Sequence, residues 1–281
     1  MIWSKEIESS AFTLVELALA EDHADNDITS MVSFGQNQTS KVQVVARENC
    51  VLSGLPIINL VYSLIAADLS VNTYFSDGES VKADDIIAEI SGKTASILSG
   101  ERTVLNFIQR LGGTATITKK YVDAIVGTSA KIVDTRKTTP GWRLLEKYAV
   151  KCGGGVNHRF NLEDMAMFKD NHFALSSCSP FELIQKVREE FPKSEIALEA
   201  DTFEQSELFL SLDIDILMLD NMSADLMRKI VKLNNGKVLL EATGGINLNT
   251  VKEIAGTGVD RISVGALTHS APSVDIAMDV I

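Results

Sequence analysis

The chain has 281 residues, 45% hydrophobic and 23% charged, with a formal net charge of -12; a polypeptide of this size and make-up can bury a substantial core and suggests about two domains. The charge disfavours a polyanionic partner such as nucleic acid, because no basic tract is segregated from the acidic remainder. The longest apolar stretch, Leu55 to Leu69, is interrupted by Asn59, Tyr62 and Ser63 and is shorter than the roughly 20 residues of a spanning helix, which argues against a membrane protein.

The opening hexapeptide, Met1-Ile2-Trp3-Ser4-Lys5-Glu6, lacks the basic segment, apolar run and small-residue cleavage site of an export signal. Cys50, Cys152 and Cys178 are an odd number at wide spacings with no C-x-x-C pair, unlike a disulfide framework or a zinc site. Together these features predict a reducing, cytoplasmic setting.

Ala11 to Ala20 places Phe12, Val15 and Leu19 at helical spacing, and Leu55 to Leu69 repeats the period. Lys41 to Ala46 and Val71 to Phe75 alternate as strands do, and Asp77-Gly78-Glu79 is turn chemistry. The first hundred residues therefore predict a small α+β sandwich of helices against antiparallel strands. Val81 to Ser91 has the short strands of a biotinyl or lipoyl carrier half, but Lys93 lacks the flanking residues of a modified lysine. Ser99 is a candidate cap for a helix from Glu101 to Leu111, with Val104, Leu105, Ile108 and Leu111 on one face. That helix is expected to lead from the first domain into the second.

From Lys131 the pattern changes to short apolar runs alternating with amphipathic segments, which implies β-α units and a parallel sheet. The runs are Lys131 to Val133, Ala166 to Phe168, Ile196 to Leu198, Ile214 to Leu219, Val238 to Leu240 and Ile262 to Val264. Six runs fall short of a full barrel, so the expected architecture is α/β: an incomplete β/α barrel beside an N-terminal α+β sandwich domain. The expected division is residues 1–107, rejoined by 269–281, and residues 108–268.

In such a barrel the C-terminal strand ends share one rim, where catalytic groups gather. The runs end in Asp134-Thr135-Arg136-Lys137, Lys169-Asp170, Glu199, Asp220-Asn221, Glu241 to Gly245 and Gly265. Arg136, Lys137, His158, Arg159 and Lys169 on one rim of an acidic protein indicate a ligand with more than one carboxylate or phosphate. Each of them alone reads better as a surface charge or a partner for Asp134, Asp164 or Asp170. Glu199 and Asp220 end adjacent strands and suit a magnesium ion that keeps several waters and bridges to phosphates; the alternative is a structural acid pair bonded to the lysines. Thr243-Gly244-Gly245 and Ser263-Val264-Gly265-Ala266 offer backbone N–H groups at late strand ends, the usual phosphate position. His23, His172 and His269 have no metal-site pattern, although His172 is placed to orient the site, and Cys152 reads as packing rather than as a nucleophile.

Asp134 to Gly141, Leu144 to Val150, Gly153-Gly154-Gly155 to His158-Arg159 and Lys169-Asp170-Asn171-His172 closely resemble the type II quinolinate phosphoribosyltransferases, also called nicotinate-nucleotide pyrophosphorylases (carboxylating). The likeness continues in Glu101-Arg102-Thr103, Leu219-Asp220-Asn221, Glu241 to Ile246 and Ser263 to Ser270, and so covers nearly the whole chain. It implies an enzyme that makes nicotinate mononucleotide, pyrophosphate and carbon dioxide from quinolinate and phosphoribosyl diphosphate in de novo NAD biosynthesis. It also implies a homodimer with shared active sites, or a hexamer of such dimers. Arg102 would enter the partner's site, while Arg136, His158, Arg159 and Lys169 hold quinolinate. Lys137 would sit beside the reacting groups, and Glu199 and Asp220 would position the ribose and Mg2+. Thr243, Gly244, Gly245, Val264, Gly265 and Ala266 would hold the 5'-phosphate. Lys137, Lys169, Glu199 and Asp220 form the expected catalytic set.

Three positions depart from the family pattern: Ala197 replaces a glutamate found in many members, and Asn26 and Asn161 replace glycines. Asparagine tolerates the left-handed conformation, so the two asparagines are mild changes. The competing readings are a relative encoded with molybdate transporters, expected to lack the Lys169-Asp170-Asn171-His172 motif, and a non-catalytic phosphate-binding barrel. An aldolase-type barrel would need Lys137 or Lys169 to form a Schiff base.

Overall fold

A computed structural model describes residues 3–66 and 68–281; Met1 and Ile2 of the opening hexapeptide, and Ala67 of the long apolar stretch, lie outside the described residues. In chain order the strands are β1 (Thr39–Ala46), β2 (Cys50–Val51), β3 (Ser70–Thr73), β4 (Ser80–Val81), β5 (Ile86–Lys93), β6 (Lys131–Val133), β7 (Met165–Phe168), β8 (Glu195–Ala200), β9 (Ile216–Asp220), β10 (Leu239–Thr243), β11 (Arg261–Ser263) and β12 (Ile276–Val280). They divide between two compact units. The first comprises Met1–Lys119, Thr138–Gly154 and Leu267–Ile281, and the second Lys120–Lys137 and Gly155–Ala266.

The first unit carries an antiparallel sheet in the order β12-β1-β5-β3. Alternation in β1 and β5 sends Val42, Val44, Ala88 and Ile90 into one core with Ile57, Ile58 and Val61 of the helix Pro56–Ile65. Each of these side chains larger than alanine contributes roughly 1.5–3 kcal/mol when fully buried. Tyr62 is buried beside them, and its hydroxyl donates to Ile97 O at 3.1 Å, which satisfies the one polar atom it brings inside. The helix Lys5–Glu21 starts at Ser4, whose side chain accepts from Ile7 N, and Glu6 and Glu8 complement the dipole of its first turn.

Two local expectations differ from this structure. The stretch from Leu55 to Leu69 is helical only over Pro56–Ile65, because Ala66 turns extended and the chain proceeds into β3. Ser99 is not a cap: it lies inside a 31-residue helix, Thr94–Ala124, and its hydroxyl donates to Asp27 of the preceding helix cap at 3.5 Å. The tandem Gly112-Gly113 does not end that helix. It provides space, since a Cβ on Gly113 would lie 2.0 Å from Pro272 O.

The second unit is a six-stranded parallel sheet in the order β6-β11-β10-β9-β8-β7 with helices between the strands, an open β/α barrel. The ladder begins at β6 and ends at β7 without closing; at the β6 edge an isolated parallel bridge, Val133 to Val156, extends it by one residue pair. Residues paired in register share a face. Met167 pairs with Ala197, Glu199 and Glu241 with Met218, and Thr243 with Asp220, which groups these side chains on one side. Met165, Ala197, Ile216 and Met218 form the apolar floor of that side, with Met167 packed against them. Asp220 ends β9 as expected, whereas Glu199 and Glu241 lie inside their strands, because β8 continues to Ala200 and β10 to Thr243.

The two buried thiols are inert in this setting. Cys50 and Cys152 are buried, and loss of hydration pushes them up to about 11 and about 12 respectively. Cys178 is partly exposed, and Lys186 Nζ donates to its sulfur at 3.1 Å. A disulfide reagent at mildly alkaline pH is expected to label Cys178 alone in the native protein and all three thiols in denaturant. Rapid native labelling of Cys152 would contradict the packing described.

Candidate active site

Asp134, at the end of β6, is wholly buried. Its Oδ1 accepts from the His158 backbone N–H at 2.9 Å and its Oδ2 from Asn157 Nδ2 at 2.6 Å. The carboxylate thus ties the segment after the glycine turn to the strand end. That tie brings His158 and Arg159 beside Arg136 and Lys137.

A cavity of about 170 Å³ opens there. Arg136, Lys137, His158, Arg159 and Lys169 line it, with Thr135, Thr243 and Ser263 as neutral polar groups and Met167 and Met218 as its apolar surface. Separate stretches of the sequence therefore deliver five basic residues to one small space.

Arg159 is the most constrained of them. Its guanidinium donates to Met165 O at 2.9 Å and to Met167 Sδ at 3.4 Å, neither of which carries a full charge. Burial, and then the neighbouring Arg136, hold it below the usual arginine range, with Asp164 opposing. A guanidinium kept partly dehydrated beside another cation is poised for an anion.

Lys169 pairs with Glu199 of β8, and its backbone N–H donates to His172 Nδ1 at 3.0 Å. His172 thus accepts from the backbone of Lys169 and lies edge-on to Phe168 at 6.0 Å. His158 is turned inward: its Nδ1 accepts from the Arg159 N–H at 2.7 Å and its Nε2 lies 3.3 Å from Glu241 Oε1. Glu241 is fully buried, and its Oε1 accepts from the Ser263 hydroxyl.

Asp220 closes β9, and its Oδ2 accepts from Asn221 Nδ2 at 2.7 Å. Asn221 adopts the left-handed conformation, φ 51°, and its N–H donates to Thr243 O, locking the β9 and β10 turns together. Gly244 and Gly245 follow with φ of 88° and 57°. The expectation for Val264 needs correction: its N–H donates to Val133 O at 2.9 Å as part of the sheet ladder, so that amide is not available to a phosphate. Gly265 follows β11, and Ala266 opens the short helix Ala266–His269. Arg102 is in the first unit, exposed on the helix Thr94–Ala124, where it lines a separate depression with Phe107 and Trp142.

Magnesium fits this donor set in only one manner. Among the described residues no three His, Cys, Asp or Glu side chains form a metal-holding group. Glu199 and Asp220 supply carboxylates on the inner face of adjacent strands, which suits an ion that keeps water and leans on substrate oxygens. Ala197, where a third carboxylate was conceivable, belongs to the apolar floor.

Sequence reading missed Met167, Met218 and the role of Glu241, and took Ser263 only for its backbone. The two methionines look like ordinary core residues. Glu241 had a usable signal, a charge flanked by Leu239-Leu240 and Ala242 at an inward-facing strand position.

Residues 27–112 match the family model described as the N-terminal domain of quinolinate phosphoribosyl transferase, and residues 114–279 match its C-terminal domain. The chain is 42% identical over 261 residues to the probable nicotinate-nucleotide pyrophosphorylase (carboxylating) of Bacillus subtilis, covering 92% of this chain and 90% of that protein. Among solved structures, the nicotinate-nucleotide pyrophosphorylase of Francisella tularensis superposes with a TM-score of 0.94 at 37% identity, over 97% of this chain and 96% of that one. The protein of the same description from Ehrlichia chaffeensis gives 0.92 at 38% identity, over 100% of both chains.

Proposed function

Because the chain belongs to the quinolinate phosphoribosyl transferase family, we propose that it is a decarboxylating quinolinate phosphoribosyltransferase, forming nicotinate mononucleotide, pyrophosphate and carbon dioxide for NAD biosynthesis. The observation that carries this reading is the gathering of Arg136, Lys137, His158, Arg159 and Lys169 around one cavity of about 170 Å³ in a chain of net charge -12. An aromatic dicarboxylate matches both halves of that lining, its carboxylates the cations and its ring the methionines.

Arg136 and Arg159 bind and orient the dianion so that its ring nitrogen faces C1 of the ribose, where departure of pyrophosphate leaves oxocarbenium-like charge. Glu199 and Asp220 would hold Mg2+, directly or through water, and its charge would neutralise pyrophosphate as it leaves. Lys169, paired with Glu199, links the acid to the dianion site. Once the nitrogen is alkylated the ring is cationic; it stabilises the electron pair left on the adjacent ring carbon when carbon dioxide departs, and a proton from solvent then takes the place of the carboxylate. The Gly244-Gly245 turn receives the 5'-phosphate.

The working unit on this reading is a homodimer, or a hexamer of such dimers, in the cytoplasm, with Arg102 completing the neighbour's site. The exposure of Arg102 on its helix supports that assignment. No helix among the described residues is long and apolar enough to cross a membrane.

The test is an assay with quinolinate, phosphoribosyl diphosphate and magnesium, following nicotinate mononucleotide and carbon dioxide. Nicotinate in place of quinolinate should be a poor substrate, because it lacks the carboxylate that leaves. Binding of both substrates without pyrophosphate release would instead favour a non-catalytic barrel. Lys137→Ala is expected to lower kcat by about 10²-fold with a smaller change in KM, since a charge aimed at the reacting groups acts mainly in the transition state. Unchanged turnover would remove Lys137 from the catalytic set.

A further inference from the structure

Resting on that reading, we infer that Glu241 is a positioning residue for the quinolinate site and acts through a neutral His158. Four observations lead there. Glu241 is wholly buried on the inner face of β10, yet does not line the cavity. Its Oε1 receives the Ser263 hydroxyl and lies 3.3 Å from His158 Nε2. His158 is itself 7% exposed, and its other nitrogen, Nδ1, accepts the Arg159 backbone N–H at 2.7 Å. The guanidinium of Arg159 is then held over the cavity by Met165 O and Met167 Sδ.

The tautomer follows from these contacts. A nitrogen that accepts an N–H carries no proton of its own, so the proton of His158 is on Nε2, facing the carboxylate. On this inference both imidazole nitrogens face protein groups, so His158 supports the quinolinate site through Arg159 rather than holding the substrate itself, as the resemblance had implied. It acts as a spacer packed against a buried acid at one end and bonded at the other to the backbone of the arginine that meets the substrate. The charged groups around it are Glu241 from β10, Asp134 at the end of β6, and Arg136 and Arg159 at the cavity. His158 joins β10 and β11 to the segment bearing Arg159, so a change at Glu241 is felt as a displaced guanidinium.

The experiment is calorimetric titration of the full chain with quinolinate and, separately, with phosphoribosyl diphosphate, for wild type, Glu241→Leu and Glu241→Gln. Failure of wild type to bind quinolinate would overturn the proposed function itself. If wild type binds, Glu241→Leu should weaken quinolinate by about tenfold or more, because displacements on the order of 1 Å are costly at oriented sites, and leave phosphoribosyl diphosphate unchanged. Glu241→Gln, which keeps an acceptor oxygen, should remain within about threefold of wild type. Equal quinolinate affinity in Glu241→Leu overturns the inference, as does a folded Glu241→Gln as impaired as the leucine variant. If Glu241→Leu does not fold, Ser263→Ala with Glu241→Gln decides, the former expected to weaken quinolinate alone. Long-range proton–nitrogen NMR near neutral pH should show the Nε2–H tautomer for His158, assigned by the signal lost in His158→Gln. A cationic ring there would also overturn it.

Discussion

Arg159→Ala is expected to raise the KM for quinolinate by about a hundredfold or more while leaving the protein as stable as before, or slightly more so. The two effects have one cause. Among the described residues the guanidinium donates to a carbonyl and a thioether and sits partly dehydrated beside Arg136, with Asp164 offsetting only part of the cost of its charge. Deleting it removes that cost. With a dianion in the cavity the same charge makes a dehydrated ion pair, and truncating one partner of such a pair typically costs about 2–5 kcal/mol. Sites built for binding commonly sacrifice stability in this manner. Kinetics with quinolinate varied at saturating phosphoribosyl diphosphate, together with thermal melts, provide the check. An unchanged KM would mean that quinolinate does not occupy this cavity.

The second large effect is expected at Gly244. Its φ of 88° lies where a side chain costs about 1–2 kcal/mol, and an added Cβ would stand 2.3 Å from Asn221 Oδ1 and 2.7 Å from Asn221 N. The backbone atom cannot swing aside, because the Asn221 N–H donates to Thr243 O. Relief must come from opening the β9 and β10 turns, which adds about 1–3 kcal/mol of overpacking. Gly244→Ala should therefore melt several degrees lower and raise the KM for phosphoribosyl diphosphate at least about tenfold, with the KM for quinolinate much less affected. If both constants rise together, the turn is not a separate phosphate subsite. If neither moves, the proposed phosphate position is wrong.

The two units differ in how much of each was legible. The barrel strands were readable because a parallel strand covered on both faces is a short apolar run ended by a polar cluster, as in Ile216–Asp220 and Lys131–Val133. The cationic cluster was readable for the same reason, since a strand that points inward also points its terminal residues at the shared rim. Distances along the chain obscured the rest. Ser99 has the composition of a cap, and only the partner Asp27, far away in sequence, shows that the helix had already begun. Gly112-Gly113 resembles a helix end until Pro272 is seen against it. Glu241 resembles one more strand-end acid until Ser263 and His158 are brought to it. Val264 resembles a loop amide until the Val133 carbonyl is seen to accept its hydrogen bond. In each case a nonlocal partner decided between two locally acceptable readings.

The pairing of β12 with β1 bears on how the protein is made. Val42 lies opposite Val280, and Arg47 is bonded to Asp279, 232 positions later. During synthesis, β1 emerges early yet has to wait with one side unzipped until nearly all the intervening sequence has left the ribosome. Loops of such length close slowly, and bare strand borders attract the wrong neighbours. A chaperone that shields this border on nascent chains would be expected to raise the yield of active protein, and trimming β12 should damage the sheet that is translated first rather than the barrel translated just before it.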